Sequence, residues 1–333
     1  MSCAAVLLAT CAAAILPADL AAIRIAAIDE GGYGRDPATE TAAVVPLAEE
    51  AIYASPTRRD RIGRILAPVM INGQGPFRFV VDTGATHSVM AAHLVRHLGL
   101  VATEGSGVLL SGVTGSIVVA TVQVDQLQAG ELIMRDRAMA VINARLSDED
   151  GVLGVEGLQQ KKIVVDFGRN QIQILESHEA RTPGEYVRIP VQLDFKGLML
   201  VNARIGRLRV KAIIDTGAER TLGNSALQRA LKIGDNTHNA PPTTGVQGVT
   251  AEIQPAYLLT APTIKLGDMY IAQVDVSFGD IHVFKVWNME SEPALLIGMD
   301  VLGVLDTIII DYGRKQLLLK ARSTSSLRMQ MVR

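Results

Sequence analysis

The sequence lacks the residues that mark disulfide-bonded, thiol-dependent or nucleic-acid-binding proteins. Only two cysteines occur among its 333 residues, Cys3 and Cys11, both near the N-terminus. The rest of the chain therefore cannot form a disulfide or a cysteine-based metal site. Aromatic residues make up 4% of the chain and the net charge is −2. Neither a stacking surface for bases nor a basic patch is indicated, so we expect no nucleic-acid partner.

Motifs for cofactors and metals are also missing. The glycine-rich segments 31–34 and 105–107 are not followed by the Lys-Ser/Thr of a phosphate-binding loop, and no Gly-x-Ser-x-Gly motif of a serine hydrolase occurs. His93 and His97 are four residues apart on a predicted helix, a spacing compatible with a metal. Because no third ligand completes that set, we interpret both as part of an exposed helix face. The sequence predicts no cofactor and no metal.

The two ends of the chain differ in composition from its middle. Residues 1–18 are uncharged and rich in alanine and leucine. They predict a secretory signal peptide or a short membrane anchor, with an alanine-rich helix packed on the body as the alternative. Residues 19–60 are mixed in composition and predict an extension or linker, while residues 323–333 predict a tail.

The most informative feature present is the tetrapeptide Asp-Thr-Gly-Ala, which occurs twice, each time after an apolar run. The two copies are 215 − 82 = 133 residues apart, about the length of one domain. Three further landmarks recur in the same order: Gly-Val-x-Gly at 112–115 and 245–248, an apolar pair followed by glycine at 152–154 and 296–298, and Asp-Phe/Tyr-Gly-Arg at 166–169 and 311–314. The chain therefore contains two copies of one unit.

These landmarks set the predicted domain boundaries: lobe one at 61–176, a polar linker at 177–184 and lobe two at 185–322. The offset rises to 311 − 166 = 145 at the last landmark, so lobe two should carry an insertion of about a dozen residues between Gly248 and Leu296, in loops. Phe284 and Trp287 fall in this insertion. We interpret them as core or loop anchors, with a wall of the cleft as the alternative.

The pattern within each unit is that of β-structure. From residue 62 onward, short apolar runs alternate with glycine, asparagine and aspartate turns, which predicts strands. Asn72-Gly73 between two such runs predicts a tight hairpin. Residues 91–98 predict a short helix that ends at Gly99. We therefore predict an all-β protein with a short helix in each lobe.

The chemistry of the repeated motif lies in its two carboxylates. Asp82 and Asp215 each follow an apolar run, so each should lie at the end of a strand. If the lobes pack about a twofold axis, the two carboxyls meet within hydrogen-bonding distance and share one proton, because both cannot ionise cheaply. Such a pair can activate a water: one aspartate takes a proton from it while the other donates to an amide carbonyl. The motif predicts an acid–base hydrolase.

The remaining residues of the motif suit this arrangement. Gly84 and Gly217 permit a sharp turn and the close approach of the opposite lobe. Thr83 and Thr216 place a short hydroxyl where it can hydrogen-bond to the backbone of the other lobe. We expect these hydrogen bonds to hold the two loops together.

Together these residues resemble the retropepsin-like aspartic proteases, peptidase family A2. The resemblance rests on both Asp-Thr-Gly-Ala motifs, on Ser88 and Thr221 six residues after each aspartate, on the glycine-rich hairpins and on the apolar-apolar-Gly triplets. It covers about residues 62–322 and implies two pseudo-twofold-related β-barrel lobes and an aspartic endopeptidase that acts on a protein or peptide. Since one chain carries both motifs, it also implies a monomer with an intramolecular active site. Single-chain bacterial proteins of this kind, with the N-terminal segment, imply a periplasmic or secreted protein or a membrane-tethered one.

The resemblance implies a role for each matched position. Asp82 and Asp215 would form the catalytic dyad. The catalytic loops would be supported by Thr83, Gly84, Thr216 and Gly217. Flaps that close over the substrate would have Gly112, Gly115, Gly245 and Gly248 at their tips. Gly154 and Gly298 would lie on the strand beneath each catalytic loop, where a side chain would clash.

Two departures bear on mechanism. Ala85 and Ala218 stand where pepsin-like enzymes have a serine or threonine whose hydroxyl stabilises the ionised dyad. Their presence predicts a less acidic pH optimum, which an activity profile peaking well below about pH 4 would contradict. Glu219 and Arg220 adjoin only the second motif, so we expect the lobes to be unequal, with a perturbed Asp215 or a contact to substrate.

Two alternatives remain open on this fold. One is a non-catalytic peptide-binding module, which would keep the cleft without needing the carboxylates. The presence of both aspartates favours an enzyme. The other is a zymogen-like or assembly-dependent protein that is silent until residues 19–60 are displaced.

Overall fold

The computed structural model describes most of both predicted lobes. The described residues are 64–102, 107–143, 149–179, 181–194, 196–234, 242–250 and 252–322, with four short N-terminal strands. These strands are β1 (Ala5–Val6), β2 (Arg24–Ala27), β3 (Ser55–Pro56) and β4 (Arg58–Arg59). The predicted signal peptide or anchor, the extension and the tail otherwise lie outside the described residues. No helix within these ranges is long and apolar enough to cross a bilayer.

Lobe one is a closed six-stranded barrel. Its elements are β5 (Ile65–Ile71), β6 (Gln74–Val81), β7 (Val89–Ala91), α1 (Ala92–His97), β8 (Val108–Ser111), β9 (Ser116–Val119), β10 (Thr121–Ala129), β11 (Leu132–Ile142) and β12 (Gly151–Leu153). The hydrogen-bonded order is β10-β11-β7-β12-β6-β5, and β10 also pairs with β5, which closes the barrel. Asn72 and Gly73, both with positive φ, form the predicted turn between β5 and β6.

Lobe two repeats this architecture. Its elements are β16 (Gln192–Leu193), β17 (Met199–Ile205), β18 (Leu208–Ile214), β19 (Leu222–Asn224), α2 (Ser225–Leu231), β20 (Thr244–Gln247), β21 (Ile253–Ala261), β22 (Ile264–Leu266), β23 (Met269–Ala272), β24 (Val274–Gly279), α3 (His282–Val286), β25 (Ala294–Ile297) and α4 (Met299–Leu302). The central order β17-β18-β25-β19-β24-β21 matches that of lobe one. The prediction of an all-β fold with two barrel lobes is confirmed.

The extra residues of lobe two lie in two places. The long hairpin β10–β11 is represented by four shorter strands, β21 to β24, and its tight turn at Gly130 corresponds to Gly267, an offset of 267 − 130 = 137. The larger addition precedes β25, where residues 280–293 replace the shorter segment 143–150 and include α3. Part of the predicted loop insertion is therefore helical.

A six-stranded sheet joins the two lobes. Its order is β15 (Val187–Pro190), β27 (Gln316–Lys320), β26 (Thr307–Asp311), β13 (Lys161–Asp166), β14 (Gln171–Glu176) and β3. The central pair is antiparallel, with Val164 opposite Ile309, so one strand of each lobe meets its counterpart at the pseudo-twofold axis. Apolar side chains of this sheet and of both barrels belong to one continuous buried core.

The N-terminal strands add to the edges of these sheets. Strand β1 pairs with β8, β2 with β23, β3 with β14 and β4 with β5. The described parts of the predicted extension 19–60 thus contribute backbone pairing to both lobes. The boundaries of the domains themselves stay predictions.

Candidate active site

Each aspartate of the repeated motif lies at the end of a buried strand. Asp82 follows β6 and Asp215 follows β18, and both side chains are fully buried. The backbone N–H of Asp82 donates to Leu153 O, and that of Asp215 donates to Ile297 O, each at 3.0 Å. These acceptors end β12 and β25, which run parallel to the aspartate-bearing strands. The backbone of each aspartate is therefore fixed by a neighbouring strand of its own lobe.

Backbone N–H groups hold one oxygen of each carboxyl. Gly84 N donates to Asp82 Oδ1 at 2.8 Å, while Gly217 N and Ala218 N donate to Asp215 Oδ1 at 2.8 and 3.1 Å. The Oδ2 atom of each aspartate is buried and receives no N–H or O–H donor from the described residues. One oxygen of each carboxyl is thus oriented, and the other is left for the opposite carboxyl or for a substrate.

The two carboxyls meet across the lobe boundary. A Cβ atom added to Gly84 would lie 2.5 Å from Oδ2 of Asp215, and one added to Gly217 would collide with the carboxyl of Asp82. Only glycine leaves room for the opposite carboxyl at these two positions. The structure therefore brings the two predicted dyad residues together, with each glycine against the aspartate of the other lobe.

Burial and mutual proximity raise the pKa of both aspartates. Burial raises the pKa of Asp82 well above its ordinary value of 3.8, and the charge of Asp215 raises it further. Burial raises the pKa of Asp215 to about 6, although hydrogen bonds from Asp82, Gly217 and Ala218 lower it. A buried pair of this kind holds one proton in mildly acidic solution, because a second negative charge would be neither solvated nor paired.

The two threonines of the motif join the catalytic loops, as expected from the sequence. Thr83 Oγ1 donates to Ile214 O at 2.7 Å and accepts from Thr216 N at 3.1 Å. In the mirror arrangement, Thr216 Oγ1 donates to Val81 O at 2.6 Å and accepts from Thr83 N at 3.2 Å. All four hydrogen bonds are buried and cross between the lobes. They fix the spacing of the two loops and hence of the two carboxyls.

Gly154 and Gly298 lie directly beneath the catalytic loops. A Cβ atom would lie 2.6 Å from the carbonyl carbon of His87 at the first position and 2.7 Å from that of Arg220 at the second. Since both neighbours are backbone atoms, they cannot turn away as a flexible side chain would. The glycines allow the loop to rest on the strand below it.

Side-chain oxygens complete the support beneath each loop. Gly154 N donates to Ser88 Oγ at 3.1 Å, and Gly298 N donates to Thr221 Oγ1 at 3.2 Å. The hydroxyls by which the sequence resembles the retropepsin-like proteases therefore connect each loop to its supporting strand.

Sequence reasoning missed an acidic residue under each loop. Glu156 Oε1 accepts from Ser88 N at 2.8 Å, and Asp300 accepts from both the N–H and the hydroxyl of Thr221 at 2.9 and 2.7 Å. Burial raises the pKa of Asp300 to about 6, against the lowering effect of these hydrogen bonds and of the Arg220 charge. A glycine followed two residues later by an acidic residue occurs in both halves and was the available signal.

The charged residues beside the second motif face this support. Arg220 acts electrostatically on Asp300, and the carbonyl of Glu219 accepts from Asp300 N at 3.0 Å. The causes that shift the pKa of Asp215 include neither residue. The inequality that the sequence predicted at this point therefore lies beneath the catalytic loop.

The two predicted flaps are hairpins, but the tip of the second begins later than the sequence suggested. Gly112 and Gly115 close the turn between β8 and β9 through a 2.7 Å hydrogen bond. Gly245 lies on strand β20, and Gly248 begins the turn. The structural counterpart of Gly-Val-Thr at 112–114 is Gly-Val-Thr at 248–250, an offset of 250 − 114 = 136. The segment before the hairpin is longer in lobe two, which displaces the match made at 133.

The flap tips meet and close over the dyad. The hydroxyls of Thr114 and Thr250 are hydrogen-bonded at 2.8 Å, and both residues are buried. Val113 packs into the apolar cluster of lobe two, while Val249 packs into that of lobe one. The structure is therefore the closed state, and a substrate can reach the aspartates only after the tips separate.

The two histidines considered as metal ligands have other contacts. His93 Nε2 lies 2.9 Å from Asp150 Oδ1, and the ring of His97 packs edge-on against Phe77 with centroids 6.0 Å apart. Within the described ranges, no three His, Cys, Asp or Glu side chains are grouped to hold a metal ion.

A pair of β-barrel lobes that present their aspartates to one another defines the retropepsin-like acid-protease fold. The sequence profile of the family described as Aspartyl protease matches residues 67–156 and 201–301, one match in each lobe and more than half of the chain in total. Each matched region contains one Asp-Thr-Gly-Ala motif. The chain belongs to the aspartyl protease family. No curated protein sequence matches it significantly.

Proposed function

We propose that the protein is an aspartic endopeptidase that hydrolyses peptide bonds with a water molecule activated between Asp82 and Asp215. The observation that carries the proposal is the geometry of the dyad. Each carboxyl is oriented through Oδ1 by backbone N–H groups, and each Oδ2 has no donor among the described residues. The glycine of each loop lies against the aspartate of the other lobe.

The reaction needs one proton on the pair at the start. The ionised carboxyl takes a proton from the water, whose oxygen attacks the carbonyl carbon, while the protonated carboxyl donates to the carbonyl oxygen. In the second step a proton passes from the dyad to the amide nitrogen, the C–N bond breaks, and a carboxylic acid and an amine leave. The dyad is again singly protonated, so no cofactor or covalent intermediate takes part.

The flaps supply the exclusion of bulk water. Opening of the Thr114–Thr250 contact admits the peptide, and closure over it removes solvent from the dyad. Burial also keeps the pKa of the pair raised, which maintains the shared proton at less acidic pH than in a solvent-exposed pair. This supports the less acidic pH optimum expected from Ala85 and Ala218.

The decisive experiment compares peptidase activity of the full chain with that of Asp82→Asn and Asp215→Asn. Each substitution should lower kcat by about 10²–10⁴-fold, the range of general acid–base catalysis. Asp125→Asn, an exposed aspartate on β10, is the matched control and should retain full activity. Equal activity in all four proteins would disprove the dyad. A wild-type protein that binds peptides without cleaving them would favour the binding module.

We also propose that one chain forms the complete site as a monomer and that residues 1–18 direct the protein to the periplasm or the outside, or tether it to a membrane. The first part is supported by the cross-lobe hydrogen bonds of Thr83 and Thr216, which lie within one chain. Sedimentation at assay concentration tests the monomer, and a chain active only as a dimer would contradict it. Cell fractionation tests the location, and a purely cytoplasmic protein with its first 18 residues retained would contradict export.

A further inference from the structure

Each half of the cleft is walled by an apolar cluster that connects the dyad to the flaps. In lobe one the cluster contains Val80, Ala85, Val89 and Val152, with Leu110 from its own flap and Val249 from the opposite flap tip. In lobe two the corresponding residues are Ile213, Ala218, Leu222 and Leu296, with Val246 and Val113 from the two flaps. Because these positions lie beside the aspartates and under the flap tips, they border the peptide on either side of the scissile bond.

The clusters differ through the segment 280–293. In lobe two this segment contributes four buried apolar side chains, Ile281, Val283, Phe284 and Met289. Trp287 covers them and meets Phe284 edge-to-face, with ring centroids 6.0 Å apart. The shorter segment 143–150 of lobe one, as far as the structure describes it, contributes no apolar side chain to its cluster. The half of the cleft in lobe two is therefore filled by the protein itself.

Helix α3 of this segment also binds the flap of lobe one. Val283 N donates to Val113 O at 3.0 Å, and His282 Nε2 lies 3.1 Å from Ser116 Oγ. His282 N in turn donates to Gln254 Oε1 on β21, at 2.8 Å. The helix is thus held by both flaps and lies between the tip of one and the dyad-bearing strands of lobe two.

We infer that α3 makes the specificity of the cleft asymmetric, an inference that rests on the proposed peptidase activity. Phe284 and its neighbours occupy the volume that a large side chain of the peptide would need in lobe two. That half accepts only a small residue, such as glycine, alanine or serine, on one side of the scissile bond. The half in lobe one, whose cluster consists of valine, alanine, leucine and isoleucine, accepts a branched or larger apolar residue. The substrates are peptides with a large apolar and a small residue at adjacent positions.

The test is the cleavage of a peptide set in which the two residues flanking the scissile bond are varied independently. The wild-type enzyme should require a small residue at one of these positions and tolerate a large one at the other. In Phe284→Ala, the ratio of kcat/KM for a large over a small residue at the restricted position should rise at least about tenfold, within the range for a hydrophobic pocket. The ratio at the other position should not change.

Two further variants keep the result independent of folding. Phe284→Leu is a smaller change and should shift the same ratio in the same direction by less. Phe278→Leu changes a fully buried phenylalanine in the main core of the same lobe and should leave both ratios unchanged. Each ratio compares two peptides with one enzyme sample, so a partly unfolded variant still reports it.

The possible failures are distinguishable. A wild-type protein that cleaves no peptide would overturn the proposed function, and the inference with it. A wild-type enzyme that cleaves with equal size preference at both positions would overturn the asymmetry alone. Unchanged ratios in both Phe284 variants would likewise remove α3 from the specificity of an otherwise active protease.

Discussion

The two lobes agree wherever the dyad is held and differ wherever the cleft is walled. The hydrogen bonds of Thr83 and Thr216 are near mirror images, and so are the glycine contacts beneath the loops. In contrast, lobe two alone has α3, and its long hairpin is divided into four strands. The comparison teaches that placing two carboxyls against one another demands matched copies, whereas recognition of a peptide does not.

A second difference lies in how each lobe fills its interior before the first barrel strand. Lobe one has a buried ion pair between Arg64 and Glu149, 3.3 Å apart and almost completely inaccessible. At the residue corresponding to Arg64, which immediately precedes β17, lobe two has the fully buried Leu198. The same place in the fold is thus occupied by charge in one copy and by an apolar side chain in the other.

The largest expected effect comes from breaking this ion pair. Glu149→Leu should lower the free energy of unfolding by about 3–5 kcal/mol, because it leaves the buried Arg64 guanidinium without its carboxylate. The double variant Arg64→Leu/Glu149→Leu should recover most of that loss, since an apolar pair imitates the second lobe. Denaturant titration measures both. A double variant as unstable as the single one would show that the ion pair itself stabilises lobe one.

The next effect tests the symmetry of the catalytic loops. Thr83→Val and Thr216→Val should each cost about 1–3 kcal/mol of unfolding free energy, because each leaves buried backbone groups unsatisfied. The two costs should be similar, and each variant should also lose activity. Thr260→Val, which removes an exposed hydrogen bond to Asp275, is the control and should change little. Unequal costs at Thr83 and Thr216 would break the comparison.

The support beneath the loops predicts a pH dependence. Asp300 has an ordinary pKa of 3.8 and a folded-state pKa of about 6, so the unfolded chain loses this proton first as the pH rises. The contribution of Asp300 to stability therefore declines between about pH 4 and pH 6. Asp300→Asn should flatten this part of the curve of stability against pH, while Asp125→Asn should not. A parallel curve for Asp300→Asn would refute the assignment.

The smallest effect concerns one hydroxyl. Tyr312 of lobe two is buried, and its hydroxyl has no hydrogen-bond partner among the described residues, whereas lobe one has Phe167 at the matching position. Tyr312→Phe should therefore leave the free energy of unfolding unchanged or raise it by about 1 kcal/mol. The reverse change, Phe167→Tyr, should lower it. A clear destabilisation by Tyr312→Phe, measured by thermal unfolding, would mean that the hydroxyl is satisfied.

Much of the fold could be predicted because its signals are local. The apolar runs before Asp82 and Asp215 become the strands that carry them, and Asn72-Gly73 becomes the expected turn. The duplication predicted two lobes, since a repeated pattern of strands and glycines implies a repeated structure. The spacing of the motif also predicted which threonines would bond across the lobes.

What could not be predicted depends on contacts between distant segments. The tip of the second flap lies three residues beyond the predicted glycine pair, because local similarity at 133 residues does not account for the longer segment before it. Arg64 and Glu149 are 85 residues apart (149 − 64) and carry no shared motif. The sequence left the role of Phe284 open between a core anchor and a wall of the cleft. Its packing beside the flap tip links these two interpretations.

The sheet in which β13 of one lobe pairs with β26 of the other belongs to a single polypeptide, and this has a genetic consequence. In a protease built from two identical subunits, any mutation reaches both halves of the cleft at once. Here each half has its own stretch of coding sequence, so an addition such as α3 can arise in one half while the other keeps its shape. The covalent union of the lobes is what allows the two sides of one active site to evolve separate tastes for their substrate.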